Sequence, residues 1–295
     1  MIGSPFLRGR DQYERTMEGW VDNTHEAAFT HTVQLGDADA SIELSAVCTP
    51  SPDYEVREAR GRVLAGAPDP AITADLPRLA GTRMVGGFTR RLVDLCGPRA
   101  GAWLFVDAGV EIARLARQVA KLPAREVAGL RPGDASACWQ LDTAGWVDLP
   151  DSCFTYSSAG RALFGTRPVT TPMVATLYSP PPGARKVFSR KKVARLVQTG
   201  QRLHLFHSMH DNVHGFDLHL EIDLERAVLV AADSITSRLP YAGICSEPQG
   251  RIETLVGEPA DGSLRKRIQT LIGGSAGCAQ LFDLASDLLK LLEIK

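Results

Sequence analysis

The sequence predicts an α+β protein made of two pseudo-symmetric copies, each an antiparallel sheet followed by helices, with an ordered central insert. Three observations carry that expectation. Residues 76–117 reappear as residues 252–293 at a constant offset of 176. Leu79, Gly81, Gly86, Arg91, Leu95, Gly97, Ala100, Gly101 and Asp107 match Leu255, Gly257, Gly262, Arg267, Leu271, Gly273, Ala276, Gly277 and Asp283. Second, Ser41–Val47 and Phe216–Asp223 alternate apolar and polar residues with the period of a half-buried strand. Third, each repeated block closes on a stretch of helical period, Trp103–Lys121 and Cys278–Leu292. Strands first and helices last in each copy favour α+β over alternating α/β.

Taken in order, residues 1–28 are an N-terminal segment and residues 29–123 the first copy. Ile42 and Leu44 share one strand face, and Tyr54–Leu64 is a second strand candidate. Pro68 and Pro70 break the chain; Leu76–Leu79 and Phe88–Leu95 read as helical, and Gly97-Pro98 stops the latter. Residues 124–200 form the insert. It holds Trp139, Trp146, Tyr156 and Tyr178 and a Pro180-Pro181-Pro182-Gly183 break, an aromatic content foreign to disordered linkers. We expect it to pack on both copies and cover a cleft. Its end carries Arg185, Lys186, Arg190, Lys191, Lys192 and Arg195. A solvated helix face is the first expectation for that run, an anion or carboxylate site the second.

Residues 201–295 are the second copy. Leu203 and Leu205, then the alternating run from Phe216, read as two strands joined through Asp211-Asn212-Val213-His214-Gly215. Ala227–Ala232 is apolar on both faces and so expected to be a central strand. Ser263–Leu271 reads as a helix ending at Gly273-Gly274, and Leu281, Leu284, Leu288, Leu291 and Leu292 stripe the closing helix.

Composition narrows the classes of function. Of the 295 residues 44% are hydrophobic and 23% charged, which suits a soluble chain with a substantial core. A net charge of −1 and a pI near 6.7 give no global footprint for nucleic acid or an anionic membrane. No apolar run approaches the roughly 20 residues of a membrane span. Ile2-Gly3-Ser4-Pro5 leads into Arg10, Asp11 and Glu14 without the apolar core of a secretory signal. The six cysteines stand singly, which points to reduced thiols and a cytoplasmic location. Homodimer formation is left open.

Five of the seven histidines, His204, His207, His210, His214 and His219, fall in one 16-residue window. On a helix, His207, His210 and His214 would share a face and reach a metal. The strand pattern argues against that helix, and no HExxH-type motif is present, so no metal is expected. Acid–base work suits the cluster better, since imidazole titrates near neutrality. Asp217, His219 and Glu221 share the polar side of their strand and form an acid–base row if that side faces a cleft; His210 and Asp211 lie at the hairpin end beside it. A solvated sheet face would produce the same alternation.

Cys278 follows Gly277 at a helix start, where the dipole lowers a thiol pKa; packing is the stronger reading for both Cys278 and Cys245. Gly273-Gly274-Ser275-Ala276-Gly277 lacks a phosphate-loop lysine and a preceding strand, and reads as a helix stop and tight turn. Neither a nucleophile elbow nor a dinucleotide fingerprint occurs. Tyr241 is a turn residue able to present a phenol to a cleft.

Pro240-Tyr241-Ala242-Gly243-Ile244-Cys245, Leu255-Val256-Gly257 and Gly273-Gly274-Ser275-Ala276-Gly277-Cys278-Ala279-Gln280-Leu281 together resemble a bacterial domain-of-unknown-function family, the one numbered twenty-eight eighty-nine. The likeness spans residues 205–292, while the first copy keeps only the glycine skeleton. The family often has a histidine where this chain has Gln280, so a role for that histidine does not carry over. The resemblance implies an association with bacterial degradation of aromatic or steroid compounds.

On that basis the expected function is a cofactor-independent carbon–carbon lyase of aromatic catabolism. Its concrete form is a retro-aldol-type cleavage that releases formaldehyde from a phenolic, lignin-derived small molecule. His210, His214, His219 and Glu221 are the acid–base candidates, with Asp217 orienting and Tyr241 meeting the phenol. The alternatives are a metal-dependent enzyme using the His204–His219 cluster and a non-enzymatic aromatic-ligand-binding protein.

Overall fold

Eight long strands in the computed structural model, which describes residues 2–7 and 9–294, form one antiparallel sheet. The first half of the chain supplies β1 (Gln12–Asp22), β2 (Phe29–Asp37), β3 (Ser41–Cys48) and β4 (Val56–Ala65). The second supplies β5 (Phe188–Thr199), β6 (Arg202–Asp211), β7 (Gly215–Asp223) and β8 (Val228–Arg238). The order across the sheet is β4-β3-β2-β1-β5-β6-β7-β8. The class is α+β, as the pattern predicts. Each half contributes four strands followed by helices, but one continuous sheet replaces two separate ones, because β1 and β5 pair from Gln12–Val197 to Val21–Phe188.

Both joining strands lie outside the segments that the sequence marks as strand. Their inward positions explain why. Along β1 the buried side holds Tyr13, Arg15 and Met17, and along β5 it holds Phe188, Arg190, Lys192, Ala194 and Leu196. Charged residues in the inward register erase the apolar alternation on which strand recognition rests. The basic run is therefore a strand, and the expectation of a solvated helix face is corrected: Arg190 and Lys192 point into the protein, while Lys191 and Arg195 face solvent.

Helices cover one face of the sheet. In the first half α1 (Phe88–Cys96) and α2 (Ala102–Leu115) pack there, with Leu104, Phe105, Ile112 and Leu115 buried over β1–β3. Gly109 of α2 meets Leu92 of α1 so closely that a Cβ would lie 2.6 Å from Leu92 Cδ1. In the insert α3 (Ala135–Gly145) is capped by Asp134, whose side chain accepts from the Ala137 amide. In the second half α4 (Leu264–Ile272) precedes α5 (Ala279–Leu289), which lies over β6 and β7 on Leu281, Leu284 and Leu288. Each such leucine contributes about 1.5–3 kcal/mol on burial. Two apolar cores result, one under each half.

Where α2 and α5 meet over β1 and β5, the interior is ionic. Arg114 Nε lies 2.9 Å from Asp283 Oδ2, and Lys290 Nζ lies 3.1 Å from Asp107 Oδ1. These two bridges cross between residues related by the offset of 176. Lys192 reaches Glu111 at 2.5 Å and Asp287 at 3.5 Å, and Arg15 reaches Asp107 at 2.7 Å. Arg15 and Lys192 thus serve as partners for helix carboxylates.

Of Ala227–Ala232, all but Ala227 belong to β8, which is the sheet edge and not a central strand. Its apolar residues are explained by the chain that covers this edge: Leu229 N donates to Glu258 O (3.0 Å) and accepts at its carbonyl from Gly257 N (2.8 Å). The insert bridges both halves, with Ala120 N on Leu177 O (2.8 Å) and Phe154 N on Gly277 O (2.9 Å). Among the described residues no helix is long and apolar enough to cross a membrane.

Candidate functional site

A cavity of about 130 Å3 opens where the insert meets the ends of both halves. Trp146, Leu149, Met173, Val213, Phe216 and Leu239 supply apolar wall; Asp142, His214 and Arg117 bring ionisable groups, and Cys153, Cys245 and Cys278 line it as well.

His214 is placed there by the β6–β7 hairpin. Asp211, the last residue of β6, folds the turn over itself: its Oδ1 accepts from the amides of Val213 (2.8 Å) and His214 (2.6 Å). The same carboxylate meets His214 Nδ1, 3.1 Å from each oxygen, and its Oδ2 accepts from Arg190 Nε (2.9 Å) and Nη2 (2.7 Å). Burial alone would raise the Asp211 carboxyl; the facing charges of His214 and Arg190 and the donated hydrogen bonds outweigh it and hold it well below the usual range. With Nδ1 engaged by a carboxylate, Nε2 is the nitrogen left to act as a base.

Asp142 approaches from the insert. It sits on the apolar face of α3, one turn after Cys138 and one before Trp146, and is fully buried. Three phenols donate to it: Tyr178 to Oδ1 (2.7 Å), Tyr156 to Oδ2 (2.7 Å), and Tyr241 also to Oδ2. Burial raises its pKa to about 6, opposed by those three hydrogen bonds and by the nearby His214. The tyrosines are pushed up in turn, chiefly by burial and then by the Asp142 charge. A buried carboxyl raised to about 6 and an oriented imidazole thus bring two acid–base groups to one cavity.

The thiols are not poised as nucleophiles. Burial pushes Cys278 up to about 11 despite its place at the start of α5, and raises Cys245, whose Sγ lies 2.9 Å from Thr155 Oγ1. Gly277 makes the turn beside Cys278: a Cβ there would lie 2.1 Å from Ile272 O. The glycine run is therefore a tight interhelical turn.

Of the residues singled out by sequence, His214 lines the cavity and Tyr241 stands behind its wall with its hydroxyl on Asp142. His210, Asp217, His219 and Glu221 are elsewhere. They lie on the sheet face without helices, where His210 Nε2 is 3.3 Å from Asp217 Oδ1 and His219 Nδ1 is 3.0 Å from Asp233 Oδ2. Their row faces away from the cavity, because the alternate positions Leu218, Leu220 and Ile222 are buried beneath the helices. His207 is buried under α5 with Nδ1 3.0 Å from Leu284 O, and burial lowers it to about 4. Among the described residues, His204, His219 and Glu221 have donor atoms close enough for a shared metal; His207, His210 and His214 are not brought together. Asp142, the convergence of Tyr156 and Tyr178 on it, and the pairing of Asp211 with His214 are absent from the sequence reading, which names the two tyrosines only as aromatics of the insert. An aspartate inside the apolar stripe of α3 was the available signal for the first.

Residues 194–292 match the model of a family described as Protein of unknown function (DUF2889). The match covers the C-terminal third of the chain. The DUF2889 region supplies Asp211, His214, Tyr241, Cys245 and Cys278, whereas Asp142, Tyr156, Tyr178 and Arg190 precede it. The cavity is thus assembled between the DUF2889 region and chain outside it. No curated protein and no solved structure matches the chain.

Proposed function

We propose that the chain is a cofactor-independent carbon–carbon lyase of aromatic catabolism that releases formaldehyde from a phenolic, lignin-derived compound by retro-aldol cleavage. The observation that supports this reading is the convergence of His214 and Asp142, two acid–base groups with different partners, on one apolar, ring-sized cavity. An apolar cavity of about 150 Å3 admits benzene, so one aromatic ring suits this one, with the rest of the substrate toward its mouth.

The reaction asks for three proton movements. The phenol of the substrate ionises, its proton passing to solvent at the cavity mouth. The bond from the benzylic carbon to its oxygen substituent breaks as that oxygen takes a proton, leaving a quinone methide; protonated Asp142 is the donor. His214 Nε2 then takes the hydroxymethyl proton. The carbon–carbon bond breaks to release formaldehyde, and its electron pair forms the side-chain alkene while the quinone methide returns to phenolate. No electrons enter or leave, so no redox partner is required. Tyr156, Tyr178 and Tyr241 fix the carboxyl and keep its pKa from rising further.

The test is product analysis. Purified protein incubated with a phenolic diaryl compound bearing a primary alcohol side chain should give formaldehyde and the aryl alkene in equal amounts without added cofactor. Binding seen by thermal shift with neither product formed would reject the lyase reading.

A further inference from the structure

We propose that the open sheet face carries a divalent transition-metal site made by His204, His219 and Glu221, with Asp233 orienting His219. The site is separate from the cavity and does not depend on the lyase reading.

The register of two adjacent strands brings the three ligands together. His204 of β6 is directly opposite Glu221 of β7, and His219 is two residues before Glu221 on the same strand. All three side chains therefore leave the same face at cross-strand and next-neighbour spacing. One donor atom from each lies within 4.8 Å of the others. His204 Nδ1 is already 3.6 Å from Glu221 Oε2. Tetrahedral ligands on bonds of about 2.0–2.1 Å sit about 3.4 Å apart, so modest side-chain rotation closes the triad.

The environment of His219 is the independent observation. Its Nδ1 lies 3.0 Å from Asp233 Oδ2, across the β7–β8 pair. Its Nε2 is shielded from solvent and has no hydrogen-bond partner in the protein. A carboxylate on one ring nitrogen with the other left free is the arrangement that orients a metal-binding histidine. Phe206 stacks on the ring at 4.7 Å and limits its rotation. Two imidazoles and one carboxylate select a borderline ion such as Zn2+, Ni2+ or Cu2+ over Mg2+ or Ca2+. Arg202 holds the other carboxylate oxygen, 3.2 Å from Glu221 Oε1, and leaves Oε2, the one nearer His204, for the ion.

Equilibrium dialysis of the full chain against Zn2+ tests the proposal, with Co2+ absorption reporting the donor atoms. One equivalent is expected, with a spectrum free of thiolate charge transfer. His204→Ala and His219→Ala should each weaken binding at least tenfold, and Asp233→Asn by 10–100-fold, while His210→Ala binds as the parent does. Circular dichroism confirms that the variants are folded; should His219→Ala fail to fold, Glu221→Gln and Asp233→Asn carry the test. Absence of stoichiometric Zn2+, binding indifferent to these substitutions, or a thiolate spectrum would overturn it.

Discussion

His214 Nδ1 lies 3.1 Å from both carboxylate oxygens of Asp211, and that carboxylate is held from its other side by Arg190, which is 1% exposed. The imidazole is thereby fixed in tautomer and direction at the wall of an apolar cavity. Four further consequences follow from this arrangement and from the charge placement around it.

His214→Ala should remove general-base catalysis and lower turnover by about 10²–10⁴-fold with little change in fold, since the ring borders a cavity. His210→Ala, four residues away on the open face, should leave turnover within twofold. Steady-state rates for the two variants decide between cavity and open face. Equal loss in both would place the chemistry on the hairpin surface.

Asp142 sets the alkaline limb of the pH–rate profile. Its carboxyl, pushed up to about 6 by burial, must be protonated to donate, so kcat/KM should fall as pH rises through about 6. Tyr241→Phe removes a hydrogen bond that lowers this pKa, so the limb should move to higher pH. The same group affects stability. Its folded pKa lies above the unfolded aspartate value of about 3.9, so its contribution is fully present below about pH 4 and is lost as pH rises through 6. The total is at most about 3 kcal/mol, at 1.36 kcal/mol per pKa unit. A pH–rate profile unchanged by Tyr241→Phe would detach the limb from this carboxyl.

The fold class was legible in the sequence because the outer strands and closing helices obey simple periods: Phe216, Leu218, Leu220 and Ile222 every second residue, and Leu281, Leu284 and Leu288 along one helix stripe. The joining strands were hidden because Arg15, Arg190 and Lys192 occupy inward positions, and their partners Asp107, Asp211 and Glu111 are remote in sequence. The site was half legible for the same reason. His214 belongs to a readable turn, but Asp142 and its three tyrosines converge from residues 142–241 through tertiary packing alone. His219 and Glu221 lie on the expected strand but on the face away from the cavity, since alternation does not say which polar row overlooks a cavity.

Asp211→Ala should destabilise the protein by about 3–5 kcal/mol, because it strands a buried guanidinium. The double variant Asp211→Leu, Arg190→Met should recover part of that loss by removing the orphaned charge. Urea denaturation of the single and double variants checks both. A single variant within about 0.5 kcal/mol of the parent would mean that Arg190 finds another partner.

The central ionic cluster should fail in acid. Burial opposes ionisation of Glu111, but Lys192 and Arg114 outweigh it and bring the carboxyl down to about 2; Arg114 and Lys290 likewise hold Asp287 well below its ordinary value. Folded pKa values below unfolded ones mean stability that is full above about pH 4 and lost as pH falls toward 2. This slope is opposite in sign to that of Asp142. Glu111→Gln should flatten it, as read from melting temperatures between pH 5 and 2; an unaltered slope would assign acid sensitivity elsewhere.

Carbon–carbon cleavage in the Asp142–His214 cavity predicts a fixed yield of formaldehyde. Formaldehyde trapped per substrate consumed, compared across the parent, His214→Ala and His210→Ala, measures it most directly. One formaldehyde per alkene formed is expected from the parent and from His210→Ala, and almost none from folded His214→Ala. Formaldehyde released equally by all three, or none from a parent that binds the substrate, would contradict it.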